Sequence, residues 1–228
     1  MDPVLYIAVE SGNIDVLMHN KDKIGVEVTP NQNTVLHIAS QLGKTECVQK
    51  ILSVHPLLLR RVNSSGKSAF HLAAKNGHYD VVLELASCAT LLDASELESG
   101  VGAVKEMLRL TNEDEETALH EDVRYNRFDI VDFLTKEDPE YLYATNNDGE
   151  TPLYVPEGGF HEFVEVILKT CKSPSYSGPG DRTTLHGVVI FKNEGIKELV
   201  DWNKSLVQKT DENGQKKSNY TLLIVGKL

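Results

Sequence analysis

One short run recurs along this chain, and its recurrence limits what the chain can fold into. Thr34-Val35-Leu36-His37-Ile38-Ala39 returns as Ser68-Ala69-Phe70-His71-Leu72-Ala73. Shorter copies follow as Thr117-Ala118-Leu119-His120, Thr151-Pro152-Leu153-Tyr154 and Thr183-Thr184-Leu185-His186, and an earlier one begins at Val4-Leu5-Tyr6-Ile7-Ala8. The apolar residue before the histidine position falls at 5, 36, 70, 119, 153 and 185, at spacings of 31, 34, 49, 34 and 32. Four of the five intervals lie near 33, and the remaining one is a period plus about 15 residues. A fixed period of this length means a row of small units. Each buries its apolar face against a neighbour, and no single closed core is needed.

The second half of each copy repeats as well. About seven residues after the anchor comes a helix breaker: Gly12, Gly43, Gly77, Asn126 or Gly159. An apolar pair then opens a second run, as in Val16-Leu17, Cys47-Val48, Val81-Val82, Ile130-Val131 and Phe163-Val164. Further apolar residues follow one helical turn on, at Ile51-Leu52, Phe133-Leu134 and Ile167-Leu168, which is helical periodicity. Polar turns such as Asn63-Ser64-Ser65-Gly66-Lys67 and Asn146-Asn147-Asp148-Gly149-Glu150 separate the copies. One unit therefore reads as turn, short helix, break, second helix, loop. The threonine or serine at its start can cap the first helix, and Ala8, Ala39 and Ala73 let helices approach closely.

This pattern resembles the ankyrin repeat, with its T-P-L-H-x-A start and its period of about 33 residues. Thr151-Pro152-Leu153 and His71-Leu72-Ala73-Ala74-Lys75-Asn76-Gly77-His78 carry the resemblance. The resemblance implies an all-α fold, an ankyrin-repeat solenoid of stacked helix-turn-helix units with hairpin-like turns. The array is expected over 1–215 in about six units, with an insertion near 87–110 and an atypical tail over 216–228. Three features resemble the plant ankyrin proteins of the accelerated-cell-death type: the acidic stretch before Ala118, the segment Glu98-Ser99-Gly100-Val101-Gly102-Ala103-Val104-Lys105-Glu106, and Cys171-Lys172-Ser173-Pro174. Those proteins carry a C-terminal membrane domain, which is expected to be missing from this chain.

The chain has 23 Lys+Arg against 34 Asp+Glu, a formal net charge of −11. That balance repels phosphate backbones, so no nucleic-acid partner is expected. No run approaches the roughly 18 apolar residues of a membrane span. Cys47, Cys88 and Cys171 make no disulfide framework and no CxxC pair, which fits a reducing, cytoplasmic location, with membrane tethering only in a longer form.

No catalytic, cofactor or metal site is expected. His37, His71, His120 and His186 occupy equivalent places in successive units. Packed helices lie roughly 8–10 Å apart, so these rings cannot converge on one metal with ligand distances of about 2 Å. Their expected role is a hydrogen bond to backbone in the turn between repeats. There is no G-x-S-x-G, P-loop or G-x-G-x-x-G after a strand. Cys47 reads as a small core residue, and Cys171, just past a helix end, as partly exposed.

Function is therefore expected to be non-enzymatic protein–protein interaction, plausible in plant defence or cell-death signalling given the resemblance. The alternative is a truncated or degenerate relative that is inactive, or competes in soluble form with membrane-tethered forms. In arrays of this family the hairpin tips and adjacent first helices form the binding face. By position this face takes in Ser64, Ser65, Lys67, Glu113, Asp114, Asn147, Asp148 and Arg182. A basic protein partner would be steered to its acidic portion. The insertion is read as a short amphipathic helix with Val101, Val104, Met107 and Leu108 at helical spacing and Ser99 able to cap it.

The later copies depart from the pattern. Asp122 occupies the packing-alanine position, where an unpaired carboxylate would be costly unless Arg124 turns inward. Pro156 enters the fourth unit, and Gly187 with Val188-Val189 replaces small residues in the fifth. The first three units are expected to be ordered and the chain beyond about Pro156 looser.

Overall fold

A computed structural model describes residues 1–93, 102–141, 143–154, 161–186 and 196–212. The chain divides into two compact units, Met1–Glu113 and Asp114–Leu228. The fold is all-α and of the ankyrin-repeat kind. Among the described residues there is no strand, only isolated bridges between Val28 and Thr34, Val62 and Ser68, and Ser177 and Thr183.

In the first unit the repeat pattern becomes helix pairs: α1 (Pro3–Ser11) with α2 (Ile14–His19), α4 (Val35–Gln41) with α5 (Thr45–Val54), and α6 (Ala69–Asn76) with α7 (Tyr79–Asp93). A one-turn α3 (Lys21–Ile24) and a 3-10 turn over Pro56–Arg60 close the first two pairs. The first helices stack on one another, α1 on α4 and α4 on α6, while α2, α5 and α7 form a second layer. The core is built from the repeated apolar positions: Leu5, Leu36 and Phe70 are fully buried, and Ala8, Ala39 and Ala73 sit between helices. Gly12 and Gly77 end α1 and α6 in the left-handed region, φ 70° and 74°.

The insertion begins differently from the sequence expectation. Its first residues continue α7 to Asp93, so α7 has 15 residues where α5 has 10. The amphipathic helix follows as α8 (Ala103–Leu108), packed on α7 through buried Ala103, Met107 and Leu108, with Val104 half-buried. Gly102, with no side chain to offer, stands at its N-cap; Ser99 and Val101 lie outside the described residues.

The second unit holds α9 (Ala118–Arg124), α10 (Phe128–Glu137), α11 (His161–Thr170) and α12 (Ile196–Trp202), then a 3-10 turn over Lys204–Gln208. α10 packs against α9 and α11, and α11 against α12. Asn126, with φ 58°, makes the break that glycine makes in the earlier copies. Thr151, Pro152, Leu153 and Tyr154 are buried, and the last three form a turn. Pro156, Gly158-Gly159 and Gly187 to Val189 lie outside the described residues. Cys171, expected to be partly exposed, is buried: the end of α11 folds it back onto the core, and burial together with the charge of Asp138 pushes its thiol up to about 11.

Candidate functional site

The turn between units is built by a repeated clasp. The backbone N–H of Thr34 donates to His37 Nδ1 at 3.2 Å, and Thr34 Oγ1 lies 2.7 Å from the same nitrogen. Because Nδ1 accepts from a backbone donor, the ring proton sits on Nε2, which donates to the carbonyl of Lys67 at 2.9 Å. The histidine thus ties its own helix start to the next hairpin. His120 does the same with Thr117 and the Glu150 carbonyl, at 3.1 and 3.3 Å. His71 and His186 bind their own cap residues, Ser68 and Thr183, in the same manner. Burial drives the rings of His37 and His120 down to about 4, against the opposing pull of the carbonyls they bind. These are neutral structural rings. A second set of histidines escaped the sequence reading: His55 Nε2 reaches the Lys21 carbonyl at 2.9 Å, and His78 Nε2 the Gln41 carbonyl at 3.0 Å.

An asparagine bracket shapes two of the hairpins. Asn63 Oδ1 accepts from the N–H groups of Ser65 and Lys67, both at 3.0 Å, and Asn63 Nδ2 donates to Asn33 Oδ1 at 2.8 Å. Asn146 repeats the arrangement with Asp148 and Glu150 at 3.1 and 2.8 Å, and its amide donates to Glu116 Oε1 at 3.2 Å. Gly66 and Gly149 occupy the left-handed tip position at φ 70° and 78°. Gln32, Glu115 and Asp181 hold the equivalent position at φ 57°, 57° and 55° without being glycine.

Neighbouring tips are also joined through main chain. In the first unit Ser64 N–H donates to the Asn31 carbonyl at 3.0 Å, and Glu113 N–H to the Ser65 carbonyl at 3.1 Å. In the second, Asn147 N–H donates to the Asp114 carbonyl at 2.9 Å, and Glu212 N–H to the Gly180 carbonyl at 3.1 Å. Backbone pairing fixes the tips and leaves their side chains to face solvent. Ser64, Ser65, Glu113, Asp114, Asn147 and Asp148 are exposed, whereas Lys67 and Arg182 are half-buried at the base of their hairpins. The first unit brings Ser65 and Glu113 together at the backbone, and the second does so for Asp114 and Asn147.

Charge is distributed unevenly beneath these tips. Residues 1–113 carry 13 acidic and 10 basic side chains, residues 114–228 carry 21 and 13, so the two stretches have net charges of −3 and −8. Within the second unit Arg124 does not turn toward Asp122, as relief of that carboxylate would require. Its guanidinium instead bridges Glu116 and Glu150, reaching Glu150 Oε2 at 3.1 Å. Burial works to raise the Glu116 carboxyl, but Arg124 and Asn146 outweigh it and hold it below the ordinary range.

Helix pairs joined by clasped, bracketed hairpins define a repeat scaffold whose tips are open to a partner. Residues 5–96 match the family model of ankyrin repeats in three copies. Over 237 aligned positions, 94% of this chain, it is 27% identical to Protein ACCELERATED CELL DEATH 6 of Arabidopsis thaliana, and spans 34% of that relative's length. It is 26% identical to the nuclear factor NF-kappa-B p105 subunit of Mus musculus over 139 residues, 60% of this chain and 13% of that one. The ankyrin repeat domain of Bcl-3, a member of the IkappaB protein family, shares the fold at a TM-score of 0.73 and 20% identity, with 99% of this chain and 98% of that one covered. Ankyrin repeats indicate a protein–protein interaction module. No helix among the described residues is long and apolar enough to cross a membrane.

Proposed function

We propose that this chain is a non-enzymatic docking module that presents acidic hairpin tips to a basic protein segment, in plant defence or cell-death signalling. The observation that carries the reading is the main-chain tip ladder, Ser65 to Glu113 in one unit and Asp114 to Asn147 in the other. Ser64, Ser65, Glu113, Asp114, Asn147 and Asp148 are exposed on this ladder, where a partner can reach them. Glu113, Asp114 and Asp148 supply the charge, with Ser64, Ser65 and Asn147 as hydrogen-bonding neighbours and Lys67 and Arg182 at the hairpin bases. The similarity to a plant protein named for accelerated cell death supports the defence setting, and a cytoplasmic location suits a reduced chain with three free cysteines.

Selection of displayed peptides against the full chain tests this. Peptides rich in Lys and Arg are expected, with affinity falling steeply as salt rises. Reversing Glu113, Asp114 and Asp148 to lysine together should abolish their binding without lowering the melting temperature. Unchanged affinity in that triple variant would move the site elsewhere.

A further inference from the structure

Asp122 stands where Ala8, Ala39 and Ala73 stand in the earlier copies, a place reserved for side chains small enough to let helices touch. It is fully buried, and neither carboxylate oxygen has a hydrogen-bond partner. The nearest cation in sequence, Arg124, is taken by Glu116 and Glu150. Two charged groups act on Asp122: Glu121, its neighbour on α9, and Arg127, in the turn leading to α10. Arg127 does not bond it, and the Nε of that residue is itself buried without a partner. Helix α10, packed on α9, offers only Ile130, Val131, Leu134 and Thr135 from its buried face, and the Thr135 hydroxyl donates to the Val131 carbonyl at 2.9 Å. His120, on the same helix as Asp122, is committed to Thr117 and Glu150. A carboxylate anion in this place has lost its water and received no hydrogen bond in return, only the charge of Arg127, whereas the neutral acid avoids most of that cost.

We propose that Asp122 is a proton latch: the α9–α10 pair stays closed while the Asp122 carboxyl keeps its proton and opens when the proton leaves. Burial first, and the charge of Glu121 second, raise this carboxyl well above the ordinary range, with Arg127 opposing. The folded unit then holds a proton that the unfolded chain releases near pH 4, so stability falls as pH climbs from there toward the folded value. His120 works in the opposite sense. Its ring, lowered to about 4, costs stability as pH falls below the unfolded value of 6.5. Between about pH 4 and 6.5 His120 offsets the Asp122 trend, and above 6.5 the His120 contribution is complete and no longer masks it. Display of the Asp114 and Asp148 tips would be withdrawn as the medium becomes alkaline; this consequence rests on the docking role proposed above, while the latch does not.

Native-state hydrogen exchange of the full chain between pH 6.5 and 9, corrected for the intrinsic pH dependence of exchange, reads the latch directly. Protection across residues 118–137 should fall by up to about tenfold per pH unit relative to residues 35–54, which serve as the internal reference. Asp122→Ala, which restores the residue of the earlier copies, should raise protection and remove the slope, and Asp122→Asn should remove the slope alone. A pH-independent ratio in the native chain, or a slope that survives Asp122→Ala, overturns the latch. A slope accompanied by unchanged binding of a selected basic peptide supports the latch and overturns the tip-docking reading instead.

Discussion

The ring of Tyr154 packs against Gly178: a Cβ built on that glycine would sit 2.1 Å from Tyr154 Cδ2 and 2.2 Å from Cε2. Tyr154 holds the position that histidine holds in the neighbouring copies, so the larger ring is accommodated by taking the side chain away from its neighbour. Gly178→Ala should destabilise the second unit by about 1–3 kcal/mol, the usual cost of overpacking. The single tryptophan, Trp202, stacks edge-on with Tyr176 at 5.9 Å and reports that unit by fluorescence in a urea melt. In a Tyr154→His background the same Gly178→Ala change should cost at least ~1 kcal/mol less, a coupling that a double-mutant cycle measures.

Arg124 carries two carboxylates. Arg124→Met would leave Glu116 and Glu150 close together and partly buried without their cation, at a cost of about 1–3 kcal/mol near neutral pH. The Glu116 carboxyl is held below its ordinary value, so the stability it contributes is present above about pH 4.5 and fades as pH drops through the folded value. The penalty of Arg124→Met should therefore shrink in acid. Urea midpoints at pH 7 and pH 4 would check both parts.

The histidine clasp sets an acid limit on the first unit. With the His37 ring lowered to about 4, its contribution is complete above the unfolded value of 6.5 and is lost progressively below it. Over that interval the loss is on the order of 3 kcal/mol, at about 1.4 kcal/mol per unit. Imidazole nitrogen shifts should show the Nε2–H tautomer at neutral pH and no protonation above pH 5. A ring that titrates near 6.5 would contradict the clasp.

Glu115 stands at φ 57°, where Gly66 and Gly149 serve the same turn in other copies. Left-handed backbone costs a side-chain-bearing residue roughly 1 kcal/mol, so Glu115→Gly should stabilise the second unit by up to that amount. Gly66→Ala should do the reverse and more. Its φ is 70°, and a Cβ there would come within 3.0 Å of the backbone at Asn112 and Glu113. Thermal melts of the two variants would decide the point.

Much of this was open to sequence reading because period and chemistry agree. The anchors Leu36, Phe70 and Leu119 announce a first helix, and the breakers Gly12, Gly77 and Asn126 announce its end. The histidine role was legible too, since rings repeated at one place in four of the six copies cannot share a metal. Glu115 could have been found as a strained turn residue by aligning it with Gly66 and Gly149. The extension of α7 to Asp93 could not: helix length there depends on packing against α8, and local pattern does not report it. The destination of Arg124 was equally hidden. Its partners Glu116 and Glu150 lie 8 and 26 residues away, and which of several nearby carboxylates it takes is settled by geometry. His55 and His78 gave no repeated motif, so their bonds to the previous copy left no trace in the period.

Because main-chain bonds register Ser64 on Asn31, Glu113 on Ser65 and Asn147 on Asp114, the letters written on these tips can change without breaking the bonds that hold the line. An exchange at Ser64, Asp114 or Asn147 alters what is offered to a partner and leaves the neighbouring carbonyl still bonded. Selection, natural or in the laboratory, can thus rewrite specificity one position at a time without asking the rest of the molecule to fold anew.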